Sequence, residues 1–294
     1  MKIDPQELST AKLHAYLLGA VVPRPIAFAS TIDSSGSVNL APFSYFNVFS
    51  AHPPILVFSP ANRGRDNTTK HTLDNVLEVP EVVINLVNYP IVEQMSLAST
   101  EYPKGVNEFV KSGLTPVPAG KIKPPRVKES PVSFECKVLE VKSLGNQGGA
   151  GNLVICEVML IHLDDQILDK EGRIDPRTLN AVARMGGNYY CHANEASIFE
   201  IPKPLTTLGI GMDQVPLSIK ESSILTGNNL GRLANVESLP SKEEVLEYGK
   251  RAEVKKIMLT DTADEALHEM AKSTLKKGNV KEAWLILLQN ITAW

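Results

Sequence analysis

The chain has 294 residues, of which 43% are hydrophobic and 21% charged, and its formal net charge is −3. These values exclude a disordered polymer and give no electrostatic reason to expect a nucleic-acid partner. No apolar run reaches the ~18–20 residues needed to cross a bilayer, so no membrane partner is expected.

The opening MKIDPQELSTAK carries acidic residues and lacks the apolar stretch of a signal peptide. Cys136, Cys156 and Cys191 are too few and too far apart for a disulfide framework or a zinc site. They read as small buried strand residues in a reduced, cytoplasmic setting, and no metal is expected.

In chain order, the first two hundred residues read mainly as strands. IAFASTID (26–33) ends in the turn DSSG, and SVNLA (37–41) follows at hairpin distance. NLAPFSYFNV (39–48) fits no regular pattern: it is apolar enough to be buried, but Pro42 is unsuited to a central strand. Pro42 is expected to mark the strand's end. PPILVFS (53–59) and EVVINLV (81–87) are short runs of strand type. TTKHTLDNV (68–76) and IVEQMSLAS (91–99) carry helical spacing. VSFECKV (132–138) alternates cleanly, whereas LVICEVMLI (153–161) is almost continuously apolar, as in a strand covered on both faces. Between them SLGNQGGAGN (143–152) reads as a flexible hairpin loop in preference to a phosphate loop. Many strands with a few helices predict a β-barrel decorated by helices.

The pattern changes after Pro202-Lys203-Pro204. SKEEVLEYGKRAEV opens on Ser241 with Glu244 three residues on, a capping-box signature. The segment 262–278 puts Ala266, Leu267, Met270, Ala271 and Leu275 on one stripe before Gly278. An apolar helix, KEAWLILLQNITAW, closes the chain. The expected division is therefore a barrel over 1–204 and a mostly helical extension over 205–294 that docks through these stripes.

Neither G-x-G-x-x-G nor G-x-x-x-x-G-K-[ST] nor H-E-x-x-H occurs, so the common nucleotide loops and the zinc-protease motif are excluded. His14, His52, His162 and His268 stand outside any motif and read as structural or surface residues; His71 and His192 lie nearer to motifs. SPANRGRDNTTKHTLDN (59–75) is more informative. It sets Arg63, Arg65 and Lys70 among threonines before a helix, where cations, free N–H groups and the helix dipole favour an anion. Composition leaves that reading level with a solvated loop. NLAPFSYFNV tips the balance, because a phosphate-bearing heteroaromatic ring needs both a cation cluster and a flat surface of mixed polarity.

VPRPIAFASTIDSSGSVNLAPFSYFNVFSAHPPILVFS, KHTLDN, VVINLV and VARMGGNYY together resemble the flavin reductase-like FMN-binding split-barrel family, in particular its flavoredoxin branch and the reductase components of two-component monooxygenases. The resemblance spans approximately residues 10–202. It implies a mainly β fold with helices, a split barrel. It implies a ring surface of Ser30, Thr31, Asn39, Ala41, Pro42, Phe43, Ser44 and Asn47, with Arg184 near the ring. The phosphate falls to Arg63 and to the element Lys70-His71-Thr72-Leu73-Asp74-Asn75, in which Lys70, Thr72 and Asn75 are the expected contacts. His71 departs from the family's acidic residue. Where many members carry G-D-H, associated with nicotinamide access, this chain has Gly151-Asn152-Leu153. The resemblance thus implies an FMN-binding oxidoreductase, either an NAD(P)H-dependent flavin reductase or a flavoredoxin-like electron carrier. No side chain is expected to be catalytic, since the flavin carries the chemistry. A homodimer is implied, with a redox protein or monooxygenase as possible partner.

Overall fold

The computed structural model describes residues 1–204 and 207–291 and divides into two compact units, Met1–Phe199 and Glu200–Trp294. The first unit opens with helix α1 (Thr10–Ala20), capped by the Ser9 hydroxyl. Strands β1 (Ala27–Ile32), β2 (Val38–Phe43), β3 (Phe46–Ala51) and β4 (Pro54–Phe58) follow, then α2 (His71–Glu78) and β5 (Glu81–Asn85). Next come α3 (Val92–Ala98), α4 (Glu108–Ser112), the short pair β6 (Pro116–Val117) and β7 (Arg126–Val127), and the long strands β8 (Val132–Ser143) and β9 (Asn152–Leu163). A short helix, α5 (Pro176–Leu179), leads to a ribbon of β10 (Val182–Arg184) and β11 (Tyr190–His192).

Seven strands form one antiparallel sheet in the order β2-β1-β5-β8-β9-β4-β3. β2 and β3 are consecutive in the chain yet lie at opposite ends of this order. Ser44 and Tyr45 therefore carry the chain from one edge to the other, and the Ser59 N–H donates to Tyr45 O at 2.9 Å across that passage. The sheet is a barrel left open between its first and last strands. One core, including Phe58, Val82, Ile84, Cys136 and Cys156, packs with Leu73 and Val76 of α2. A second, with Phe28, Leu40, Met95 and Phe109, takes in α3 and α4.

Three local expectations need correction. β2 continues through Pro42, which pairs with Phe28, and ends at Phe43; β2 is an edge strand, where a missing N–H faces no partner. The free edge is not bare, since the Leu40 N–H donates to the buried Glu108 carboxylate at 2.9 Å. On β8 the polar Ser133 and Glu135 are buried, whereas Lys137 of the same row is exposed. Ser133 donates to Asn85 at 2.8 Å, and Glu135 accepts the N–H groups of Gly120 and Lys121 at 2.6 Å and contacts His162. β9 is covered on both faces only in its first half, and Met159, Ile161 and Leu163 are exposed. As for the cysteines, Cys136 and Cys156 are buried and Cys191 is only half-buried.

The second unit is helical: α6 (Leu217–Lys220), α7 (Gly227–Ala234), α8 (Lys242–Gly249), α9 (Ala252–Met258), α10 (Ala263–Lys276) and α11 (Val280–Leu287). The Ser241–Glu244 capping box forms as its spacing predicts, with reciprocal bonds of 3.2 and 2.9 Å. The run after Ser241 is nevertheless two helices, broken at Lys250-Arg251. The apolar stripes close on each other: Leu267, Ala271 and Leu275 meet Trp284, Ile286 and Leu233 in a core of this unit's own residues. The first two residues of the expected extension, 205 and 206, and the end of its last helix, 292–294, lie outside the described residues.

Candidate functional site

At the β2–β3 passage the backbone leaves the sheet ladder, and Ala41, Pro42, Phe43, Ser44 and Tyr45 form one wall of a cleft of about 490 Å³. That size falls within the ~300–1,000 Å³ usual for small-molecule sites. Arg63, Arg65 and Lys70 form the opposite wall with Asn62 and Gly64, while His14 and Leu18 of α1 edge it. The structure thus brings the two stretches singled out in the sequence, 39–48 and 59–75, to one cavity.

The cations converge. Glu101 receives Lys70 Nζ at 2.9 Å and Arg65 Nη1 at 2.8 Å, with Arg63 Nε at 3.5 Å. The Lys70 hydrogen bond and charge, followed by the charges of Arg65 and Arg63, hold the Glu101 carboxyl below its ordinary range. Arg63 is pinned separately, donating to Thr68 Oγ1 at 3.1 Å and to Thr69 O. Its Nε is buried and finds no hydrogen-bond acceptor among the described residues. Arg65 Nε also meets the Asp66 carboxylate at 3.1 Å, so three cations and two carboxylates leave a local excess of one positive charge. No side chain caps the N-terminus of α2, whose N-cap is Lys70. His71 adds no charge at neutral pH, because burial, then the Arg63 charge, push its imidazole below the ordinary value.

Ala41, Pro42, Phe43, Ser44, Arg63 and Lys70 of the expected set line the cleft. Ser30, Thr31, Asn39, Thr72 and Asn75 are buried together between β1, β2 and α2. There Asn39 donates to Thr72 at 2.9 Å and Asn75 donates to Thr31 at 3.1 Å. These two bonds fix α2, and with it Lys70, against the strands that carry the opposite wall. Asn47 lies beyond the passage on exposed β3, where its side chain accepts from the Val48 N–H at 2.8 Å. Arg184 stacks over Tyr190 at 4.6 Å and donates to Gly187 O, and it does not line the cleft.

Several contributors escaped sequence reasoning. Glu101 stands 31 residues after Lys70 in a loop without a motif. Arg24 is 5% exposed, donates to Leu18 O and Val21 O at 2.6 Å and to Met185 O at 3.0 Å, and has Ser44 Oγ at 3.4 Å. It therefore ties the end of α1 and the β10 region to the passage. The only available signal was an arginine in the otherwise apolar run VVPRPIAF.

A barrel opened at one seam, with a cation-lined wall facing the edge strand, defines a split barrel. Residues 18–180 match the model of the flavin reductase like domain, and the chain belongs to the flavin reductase-like family. An uncharacterised protein of Aquifex aeolicus is 40% identical over 193 residues, which are 66% of this chain and 96% of that one. Among solved structures, nitrilotriacetate monooxygenase component B from Bacillus cereus is 29% identical, with a TM-score of 0.64 over 68% of this chain and 98% of its own. The 2-nitrobenzoate 2-nitroreductase NbaA of Pseudomonas fluorescens is 26% identical, with a TM-score of 0.61 over 71% and 100%. The fold is the family's split barrel, extended here by the helical unit.

Proposed function

We propose that the cleft binds FMN and that the protein is an NAD(P)H-dependent flavin oxidoreductase. The observation that carries this reading is the single cavity joining the 41–45 backbone to Arg63, Arg65 and Lys70. The groups fit the cofactor. A phosphate suits the excess of positive charge and offers a hydrogen bond to the buried Arg63 Nε, which makes none within the chain, and Phe43 and Pro42 supply flat apolar surface beside a polar edge. Bound FMN would supply hydride acceptance and electron release. Lys70, Arg65 and Arg63 would hold the phosphate by charge-assisted hydrogen bonds. Asn39 and Asn75 hold the two walls in register, and Arg24 fixes the passage that borders the ring. No side chain of this set needs to exchange a proton for binding.

The similarity to a monooxygenase component and to a nitroreductase supports redox chemistry with a second acceptor, a protein or a small molecule. A carrier that exchanges electrons only with a protein partner is the second reading, favoured by Asn152 and Leu153 where G-D-H would stand. Anaerobic mixing of the FMN-loaded protein with NADH or NADPH separates them. Bleaching of the flavin absorbance within turnover time supports the reductase, and no bleaching with either nucleotide leaves the carrier.

A homodimer is proposed, with the exposed Val48 and Phe49 of the edge strand β3 as its contact, since apolar side chains left bare at a sheet edge mark interaction surfaces. Sedimentation equilibrium tests it, and a monomer at micromolar concentration rejects it. Among the described residues no helix is long and apolar enough to cross a membrane, and no group of His, Cys, Asp and Glu is placed to hold a metal.

A further inference from the structure

The glycine-rich connection between β8 and β9 lies directly behind the cation loop. The Asn62 N–H donates to Ala150 O at 2.9 Å and the Gly149 N–H returns a bond to Asn62 O at 3.0 Å, as two strands would pair. Asn67 Nδ2 donates to Asn146 O at 2.8 Å. At the connection's end the buried Asn152 donates to Pro60 O and to Asn62 Oδ1, both at 3.0 Å. The approach is tight at two glycines, where an added side chain would force the neighbouring groups to shift. A Cβ on Gly148 would lie 3.1 Å from both Arg63 O and Gly64 O and 3.2 Å from Gly64 Cα, and one on Gly151 would lie 2.8 Å from Ser59 Oγ.

We propose that residues 146–152 are a positioning element for the anion site, a backbone buttress that sets where Arg63 and Gly64 stand in the cleft. The glycines are needed because backbone must pack on backbone, which fixes a loop more firmly than exposed side chains can. Asn152 acts through Pro60 and Asn62 and touches no ligand, and Gly148 acts through the Arg63 carbonyl. The connection then neither cradles phosphate nor swings freely; it determines how well the residues that meet the phosphate are preorganised. This inference rests on the FMN reading above and assigns the element that tunes its phosphate half.

The test uses the full-length protein, with FMN and riboflavin as ligands that differ only in the phosphate, each titrated by flavin fluorescence. Gly148→Ala adds one methyl group against the loop. Asn152→Asp is nearly isosteric and turns a donor into an acceptor facing two acceptors, so it decides the matter if Gly148→Ala does not fold. Both variants are expected to raise the FMN Kd by about fivefold or more, with the riboflavin Kd held within about twofold. Leu139→Ala, on an exposed position of β8 outside the connection, is expected to leave both constants unchanged. Variants that bind FMN as the parent does, or that lose FMN and riboflavin affinity by the same factor, overturn the proposal. A parent protein that binds FMN no better than riboflavin overturns the phosphate reading itself, and the buttress with it.

Discussion

Glu101 is the residue whose role is least expected. It is an anion inside an anion site, and its carboxylate stands among Arg63, Arg65 and Lys70 where a phosphate oxygen would be welcome. Side chains of this kind are partly exposed, so their pairing contributes modestly to stability. Repulsion of an incoming dianion is another matter: at an effective dielectric of about 20, two charges 5 Å apart interact by roughly 3 kcal/mol before screening. Glu101→Gln removes that repulsion and keeps an acceptor for Lys70. It is expected to lower the FMN Kd by about tenfold and to leave riboflavin unaffected; paired titrations check it. At this scale the sequence was partly legible. Arg63 and Lys70 stood out because cations before a helix have a chemical use, whereas Glu101 and Arg24 depend on contacts no local pattern announces.

Among the elements, the edge strand β2 shows how packing overrides pattern. Its Pro42 looks like a terminator, but at an edge it costs no ladder bond, and the free Leu40 N–H next along is covered by Glu108 from α4. Burial pushes the Glu108 carboxyl above its ordinary range, opposed by its bond from Leu40. A raised native value means the fold favours the protonated acid. The stabilisation is therefore complete below the unfolded carboxyl value of about 4.3 and is lost as the pH rises through the native one. Glu108→Gln, neutral at every pH and still able to accept from Leu40, is expected to exceed the parent in stability at pH 7.5 and to match it near pH 4. Urea unfolding at the two pH values measures this; an equal difference at both would show that charge burial is not the cause. The same lesson applies to β8 and β9. Alternation marked β8 as a strand and a continuous apolar run marked β9, but the burial of Ser133 and Glu135 on β8 depends on Asn85, Gly120 and His162, which come from elsewhere in the chain.

For the whole molecule, the barrel's two cores and the helical unit's own core divide the work. The barrel was legible from strand spacing and from one long motif, because period-two patterns and turn residues act locally. The helical unit was legible as helices but not as a separate core. Stripes on successive helices look alike whether they dock on a barrel or on each other, and here they meet around Trp284, whose indole N–H donates to Leu233 O at 3.0 Å. Trp284→Ala is expected to cost about 3–5 kcal/mol in this unit alone. Calorimetry should show one transition falling steeply while the transition assigned to the barrel stays in place; a common shift of both would contradict independent cores.

The central claim is that the cleft between residues 41–45 and the 63–70 loop holds FMN by its phosphate. The most direct measurement is the equilibrium titration of the parent protein and Lys70→Ala with FMN and with riboflavin. Loss of a charged hydrogen bond worth about 1.5–3 kcal/mol predicts an FMN Kd raised tenfold or more in the variant, with riboflavin unchanged. No FMN binding at micromolar flavin, or an FMN Kd indifferent to Lys70, would contradict the account.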